Sequence, residues 1–326
     1  ERPYRLARDV RGIGFVTADK IARALGIDLE SDERVDAGLV HVLEQAESDG
    51  HCAVPTEKLV ERAVRTLGVG AELVQTAGHR LVEIGDLVLE DAPGGTELCF
   101  PASMVKAERE VAATLARLAR SPRASWEVGE LPEHLSPGQR QAVHAVAGAG
   151  VVVLTGGPGT GKSTVVHEIV RLARAAGSDV LLAAPTGRAA KRLEQTTGHE
   201  AKTIHRLLEV QPETGRFVHG TGNPLPLGLL VVDESSMLDI HLAQALFDAL
   251  VPEHRLLLVG DADQLPSVGP GNVLRDVMAA AEGPTSAIAL VRLREVFRQG
   301  EGSTIVSNAH RVLHGERPLP DPPGKG

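Results

Sequence analysis

Gly150-Val-Val-Val-Leu-Thr155 runs straight into Gly156-Gly-Pro-Gly-Thr-Gly-Lys-Ser-Thr164, and that junction decides the fold. A short apolar run with no polar face reads as a strand buried on both sides. The next residues match G-x-x-x-x-G-K-[ST] through Gly156, Gly161, Lys162 and Ser163, and Ser163 to Ala176 then reads as a helix. Strand, glycine-rich loop, helix is the context that separates a P-loop from a chance match. Gly157, Pro158, Gly159, Thr160 and Gly161 let the loop turn its amides onto phosphate oxygens. Lys162 neutralises the β- and γ-phosphates, and Ser163, followed by Thr164, places a hydroxyl where Mg²⁺ sits beside a helix N-terminus.

On either side of that junction, the second part of the chain alternates strand and helix, which predicts an α/β fold with a parallel sheet. Apolar runs at Asp179–Ala184, Leu229–Val232, Arg255–Val259 and Ala287–Val291 join the first strand, with a helix at Ile240–Leu250. Ligands bind such sheets at the strand C-termini. There Val231-Val-Asp-Glu places Asp233 to hold Mg²⁺ and Glu234 to activate the water that attacks the γ-phosphate of ATP. An adjacent acid favours hydrolysis over transfer; the bland alternative is two carboxylates capping the next helix. Gln264, in Gly260-Asp-Ala-Asp-Gln, stands just past a strand tip as a neutral γ-phosphate sensor. Arg298, in Leu293-Arg-Glu-Val-Phe-Arg, supplies positive charge to the transition state. Upstream, Gln139 offers a lone amide to both edge groups of adenine. Taken singly, each of these three is more often a solvated loop residue.

The first part opens with Asp9-Val-Arg-Gly-Ile-Gly-Phe, with Ala18 and Ile21 at helical spacing: helix, tight hairpin, helix over residues 1–34. Gly12 and Gly14 leave backbone N–H groups free to form a phosphate nest, or simply make a packing turn. Helices at Val35–Ala46 and Glu57–Leu67, a short strand at Gly50–Pro55 and a hairpin of Asp86–Glu90 with Glu97–Phe100 suit a winged-helix-like unit over 35–120. The helix Met104–Arg120 leads into 121–134, a polar linker with two prolines, and the α/β domain occupies 135–315.

The chain has 326 residues, 34 Lys+Arg against 43 Asp+Glu and a net charge of −9. That charge is uneven: 16 basic and 24 acidic residues precede His134, so −8 lies in the first part. Aromatics are only 2%, which excludes a long ladder of stacking rings. Cys52 and Cys99 are in no metal or disulfide pattern, no apolar run approaches about 18 residues, and no leader-like stretch opens the chain, so a cytoplasmic protein without a membrane partner is expected.

In order and spacing these segments resemble the motifs of superfamily 1 DNA helicases, specifically the RecD-like kind, over the whole chain. The resemblance makes 1–34 a helix-hairpin-helix and 135–315 the first RecA-like motor domain. It implies ATP- and Mg²⁺-driven 5′ to 3′ movement on single-stranded DNA, acting as a monomer at single-strand/duplex junctions, with protein partners unknown. Gln139 becomes the adenine-reading glutamine, Gly156–Thr164, Asp233-Glu234 and Gly260–Gln264 successive helicase motifs, and Arg298 part of a further one.

The DNA track falls on Pro185, Thr186, Arg188 and Lys191 after the second strand and on Thr203 and His205 soon after. Five basic and two acidic residues lie between Thr186 and Arg206. Charge alone also suits a solvated helix face. A hairpin within 208–225 occupies the place of the family's strand-separating pin and brings Phe217 to the junction, or merely anchors itself with that ring. Residues 316–326 form a tail, with one helix expected over Thr304–Leu313. No second motor domain fits, so the chain reads as the first half of a longer enzyme. The alternatives are the helicase half of a conjugative relaxase, or a DNA-binding module with a regulatory P-loop.

Overall fold

The computed structural model describes residues 3–10, 12–226, 228–297, 308, 311–312 and 315–320. Arg298 and most of the helix expected at 304–313 lie outside them. The described chain divides into two compact units. The first comprises Glu1–Glu110 with Asp239–His241 and Ser267–Gly271, and the second holds the remainder from Val111 onward.

The first unit begins with α1 (Pro3–Asp9) and α2 (Phe15–Ala24), joined by a turn in which Gly12 takes φ +93°, open only to a residue without a Cβ penalty. After them come α3 (Asp32–Ser48), β1 (Val54–Pro55), α4 (Thr56–Leu67), α5 (Ala71–Glu83), β2 (Leu87–Asp91) and β3 (Glu97–Pro101). The strands form an antiparallel sheet in the order β1-β3-β2. Helix, strand, helix, helix, hairpin is the connectivity of a winged helix. The strand expected over Gly50–Pro55 shrinks to two residues, paired Val54 to Cys99 and Pro55 to Leu98. Leu39, Val42, Leu43, Leu59, Ala63, Val74 and Leu81 build the core.

An ionic lock ties the helices of this unit together. Arg34 is 1% exposed, donates from Nε to Asp19 Oδ1 at 2.7 Å, and donates from Nη1 to the carbonyls of Leu29 and Leu67. Tyr4 Oη donates to the same Asp19 oxygen at 2.8 Å. Burial alone would lift the Asp19 carboxyl, but the hydrogen bonds from Arg34 and Tyr4 outweigh it. With the charges of Arg34 and Arg23, they hold it below the ordinary aspartate range.

α6 (Ala102–Arg120) crosses the division between the units. The stretch expected to be a linker is bound along the second unit. Arg123 donates to the carbonyls of Leu118, His254 and Pro252, Trp126 N donates to Ala147 O at 3.0 Å, and the Arg255 guanidinium sits 4.2 Å from the Trp126 ring centre. Prolines keep the stretch from being helical, and these arginine contacts fix its path.

The second unit continues with α7 (Pro137–Gly148), β4 (Val151–Gly156), α8 (Lys162–Ala175), β5 (Val180–Ala184), α9 (Gly187–Thr197), β6 (Ala201–Thr203) and α10 (Ile204–Leu207). After these come β7 (Leu229–Val232), α11 (Ile240–Asp248), β8 (Arg255–Gly260), α12 (Val273–Ala281) and β9 (Ala289–Leu293). The six strands are parallel in the order β6-β5-β7-β8-β4-β9, one more than the apolar runs predict. β4, β7 and β8 are buried almost end to end, as strands covered on both faces must be. Among the described residues, no helix is long and apolar enough to cross a membrane.

Candidate functional site

The C-terminal edge of this sheet gathers the chemistry. At the end of β4 the backbone turns through Gly159 and Gly161, both at φ +81°, before α8 begins. A side chain at Gly161 would be strained by that φ, and its Cβ would collide with Gln139 Nε2. Thr160 Oγ1 donates to Gly157 O at 2.9 Å, closing the loop on itself, while Pro158 is exposed at its tip. Lys162 Nζ donates to Gly156 O and, at 3.1 Å, to Gly157 O. Burial lowers the Lys162 ammonium's pKa, opposed by the carboxylates of Asp261, Glu234 and Asp233. Ser163 is half-buried on the first turn of α8 and Thr164 is exposed.

Asp233 leaves the end of β7, its N donating to Ala183 O on the neighbouring strand at 2.9 Å. Its Oδ1 accepts the Glu234 N–H at 3.0 Å. Desolvation raises this carboxyl's pKa, and the neighbouring Glu234 charge adds to the rise. Glu234 holds the left-handed backbone, φ +53°, and its side chain does not cap the 3-10 turn Ser235–Met237 beyond it. Asp261, just past the end of β8, lies within the Gly260–Gln264 motif, whose sequence reading gives a role to Gln264 alone. It is 4% exposed, its Oδ1 accepts from Asp263 N at 3.1 Å, and it is the carboxylate that bears most on Lys162. Its signal was the Gly-Asp pair closing a buried strand. Gln264 is exposed in the turn beyond, its N donating to Asp261 O at 3.2 Å.

Two further side chains converge on the loop. Gln139 is 3% exposed, and both ends of its amide are already committed. Oε1 accepts from Ser136 N at 3.0 Å in a capping box with the Ser136 hydroxyl, and Nε2 donates to Thr160 O at 3.2 Å. The amide expected to face adenine thus pins the start of α7 to the P-loop. Phe297, given no role in the sequence reading of the Arg298 motif, donates its N–H to Gly159 O at 2.9 Å and keeps its ring 55% exposed beside Gly161. A Phe beside the motif's arginine in so aromatic-poor a chain was the signal.

On the same edge β5 and β6 lie side by side with Ala184 opposite Thr203, and the chain passes through Pro185 to Thr186. Thr186 and Thr203 each cap the next helix, accepting from Ala189 N at 3.3 Å and Arg206 N at 3.2 Å. Each hydroxyl thereby keeps its own proton to donate. Arg188 and Lys191 are exposed on α9. His205 and Phe217 pair with ring centres 5.9 Å apart, tilted 52°. The expected hairpin is reduced to single bridges, Val210 to Phe217 and Gly220 to Asn223, since Pro212 has no N–H to extend a ladder.

A phosphate-shaped loop, acids at the ends of β7 and β8, and a six-stranded parallel sheet define the class: a RecA-like P-loop NTPase domain behind a mainly helical N-terminal region. Two family models match, the AAA domain over residues 139–270 and the ATP-dependent RecD2 DNA helicase HHH domain over residues 1–53. The ATP-dependent RecD2 DNA helicase of Deinococcus radiodurans is 38% identical over 95% of this chain and 44% of its own length. The RecBCD enzyme subunit RecD of Mycolicibacterium smegmatis is 40% identical over 53% of this chain and 35% of its own. Among solved structures, the Pif1 helicase from Candida albicans is similar over 57% of this chain and 45% of its own, with 24% identity and a TM-score of 0.40. The chain is similar to the RecD-like helicases over nearly all of its own length, and it spans under half the length of these two relatives.

Proposed function

We propose that this chain is the ATP-hydrolysing, DNA-tracking half of a 5′ to 3′ DNA helicase. The observation that carries the reading is the meeting, on one sheet edge, of the P-loop lysine with Asp233, Glu234 and Asp261, close to a threonine-capped basic segment. Loop amides and Lys162 bind the phosphates, exchanging the lysine's contacts to Gly156 and Gly157 for phosphate oxygens. Glu234 orients the attacking water, Gln264 senses the γ-phosphate, and Arg298 is assigned to the transition state by its motif. Phe297 offers a ring face to the base, and Gln139 reads adenine only by exchanging the bonds it now makes.

Mg²⁺ fits the donors present. The Ser163 hydroxyl and one desolvated Asp233 carboxylate leave most positions to phosphate and water, the coordination this ion prefers. When bound it neutralises charge on the β- and γ-phosphates. Single-stranded DNA, without a fixed sequence, runs past Pro185, Thr186, Arg188, Lys191, Thr203 and His205 by its backbone, with Phe217 toward the duplex junction. A DNA substrate supports the cytoplasmic location that the sequence leads one to expect. The helix-hairpin-helix match over the first residues favours this reading over the relaxase alternative.

Glu234→Gln tests the hydrolytic assignment. The ATP turnover expected of the chain should fall about a hundredfold or more while Mg·nucleotide still binds, as loss of a positioned base requires; turnover measured by phosphate release and left unchanged would refute it. Lys191→Ala should weaken binding of a fluorescent oligothymidylate and flatten the slope of log K against log salt by about 0.7, read by anisotropy.

A further inference from the structure

The turn just after the two acids holds a polar group with no partner. Ser236 is 6% exposed, and among the described residues nothing hydrogen-bonds its buried Oγ. Its neighbour Ser235 behaves normally, donating to Val232 O at 2.8 Å. Two residues before Ser236, Glu234 is held at φ +53°, a conformation a non-glycine residue adopts only at a cost. The turn is also wedged against the end of β8. A Cβ added to Gly260 would lie 3.2 Å from Ser236 N and 2.6 Å from Leu274 Cδ2, a close approach of the turn to the point where the segment carrying Asp261 and Gln264 begins.

A strained acid, an unsatisfied buried hydroxyl and a close approach to Gly260 are packed together here. Unpaired buried hydroxyls are disfavoured, and native structures keep them mostly where another arrangement supplies the partner. Ser236 lies between the acid assigned to the attacking water and the loop assigned to the γ-phosphate. A change of backbone at Glu234 therefore carries the Ser236 hydroxyl with it and presses on Gly260.

We infer that Ser236 is a positioning residue for the γ-phosphate. Its hydroxyl gains a hydrogen bond when a nucleoside triphosphate, and not a diphosphate, draws the Glu234 turn into its working form, and so links that turn to the Gly260–Gln264 segment. The inference rests on the proposed ATP site and names the residue by which that site distinguishes triphosphate from diphosphate.

The test is Ser236→Ala in the chain as it stands, with Ser236→Thr as the restoring variant. Affinities for Mg·ADP and for a Mg-bound non-hydrolysable ATP analogue are measured by titration, and melting is followed without nucleotide. Ser236→Ala should melt no lower than the original chain, since it loses a hydroxyl with no partner. It should bind ADP equally well and lose roughly threefold to tenfold in preference for the triphosphate analogue, one hydrogen bond's worth. Ser236→Thr should restore the preference. An unchanged triphosphate-to-diphosphate ratio, with ADP still bound, overturns the inference alone. A lower melting temperature with both nucleotides weakened equally also overturns it, because that marks a packing role. Failure of the original chain to bind either nucleotide overturns the ATP reading itself.

Discussion

Asp19 shows how one side chain can hold a small helical unit together. It takes hydrogen bonds from Tyr4 and Arg34 and an ion pair from Arg23, while Arg34 has almost no contact with water. Asp19→Asn would leave that guanidinium buried without its counter-charge. The first unit should lose about 3–5 kcal/mol, measured by urea denaturation with a probe in that unit. The pH dependence has a defined sign. The Asp19 carboxyl is held low in the folded state, so its contribution is fully present above the unfolded value of about 3.9. It disappears as pH falls through the lower folded value. Acid should therefore destabilise the first unit of the original chain in that range, and the Asn variant should show a flatter profile. None of this was legible in the sequence, where Asp19 and Arg34 are two charges among many. A buried pair appears only when three helices bring the partners together.

Among the helices and strands, legibility in the sequence depended on burial. β4, β7 and β8 are apolar throughout because both faces are covered, and such runs stand out in any reading. β6 is three residues, Ala-Lys-Thr, at the sheet's edge, and has no pattern long enough to recognise. α5 had a pattern, Val74, Ala77 and Leu81 on one face, and no motif drew attention to it. The P-loop and the paired acids were legible because their chemistry fixes their spacing. Gln139 was legible as a residue, and Ser136-x-x-Gln139 has the local spacing of a capping box, but the bond to Thr160 was not legible because it depends on where α7 docks. That docking yields its own test. Ser136→Ala removes the acceptor for Gln139 N and should cost the second unit about 1 kcal/mol by denaturant unfolding, with weaker nucleotide binding as the P-loop loses its brace. A stability loss with binding untouched would separate the cap from the loop.

Across the molecule, the net negative charge is a property of the first part. The P-loop part is near neutral, with a local basic excess beside Thr186 and Thr203 on the edge that also holds the P-loop. A motor needs both ligands on one rigid sheet, so that a change at the phosphates can be felt along the strand. Each role proposed for these residues depends on that edge binding Mg·ATP through Lys162. The decisive measurement is a titration of the chain with a fluorescent ATP analogue in Mg²⁺, repeated for Lys162→Ala. Saturable binding that the substitution weakens by roughly tenfold to a hundredfold, the worth of one charge-assisted contact, is predicted. Equal affinity in the two proteins would contradict it.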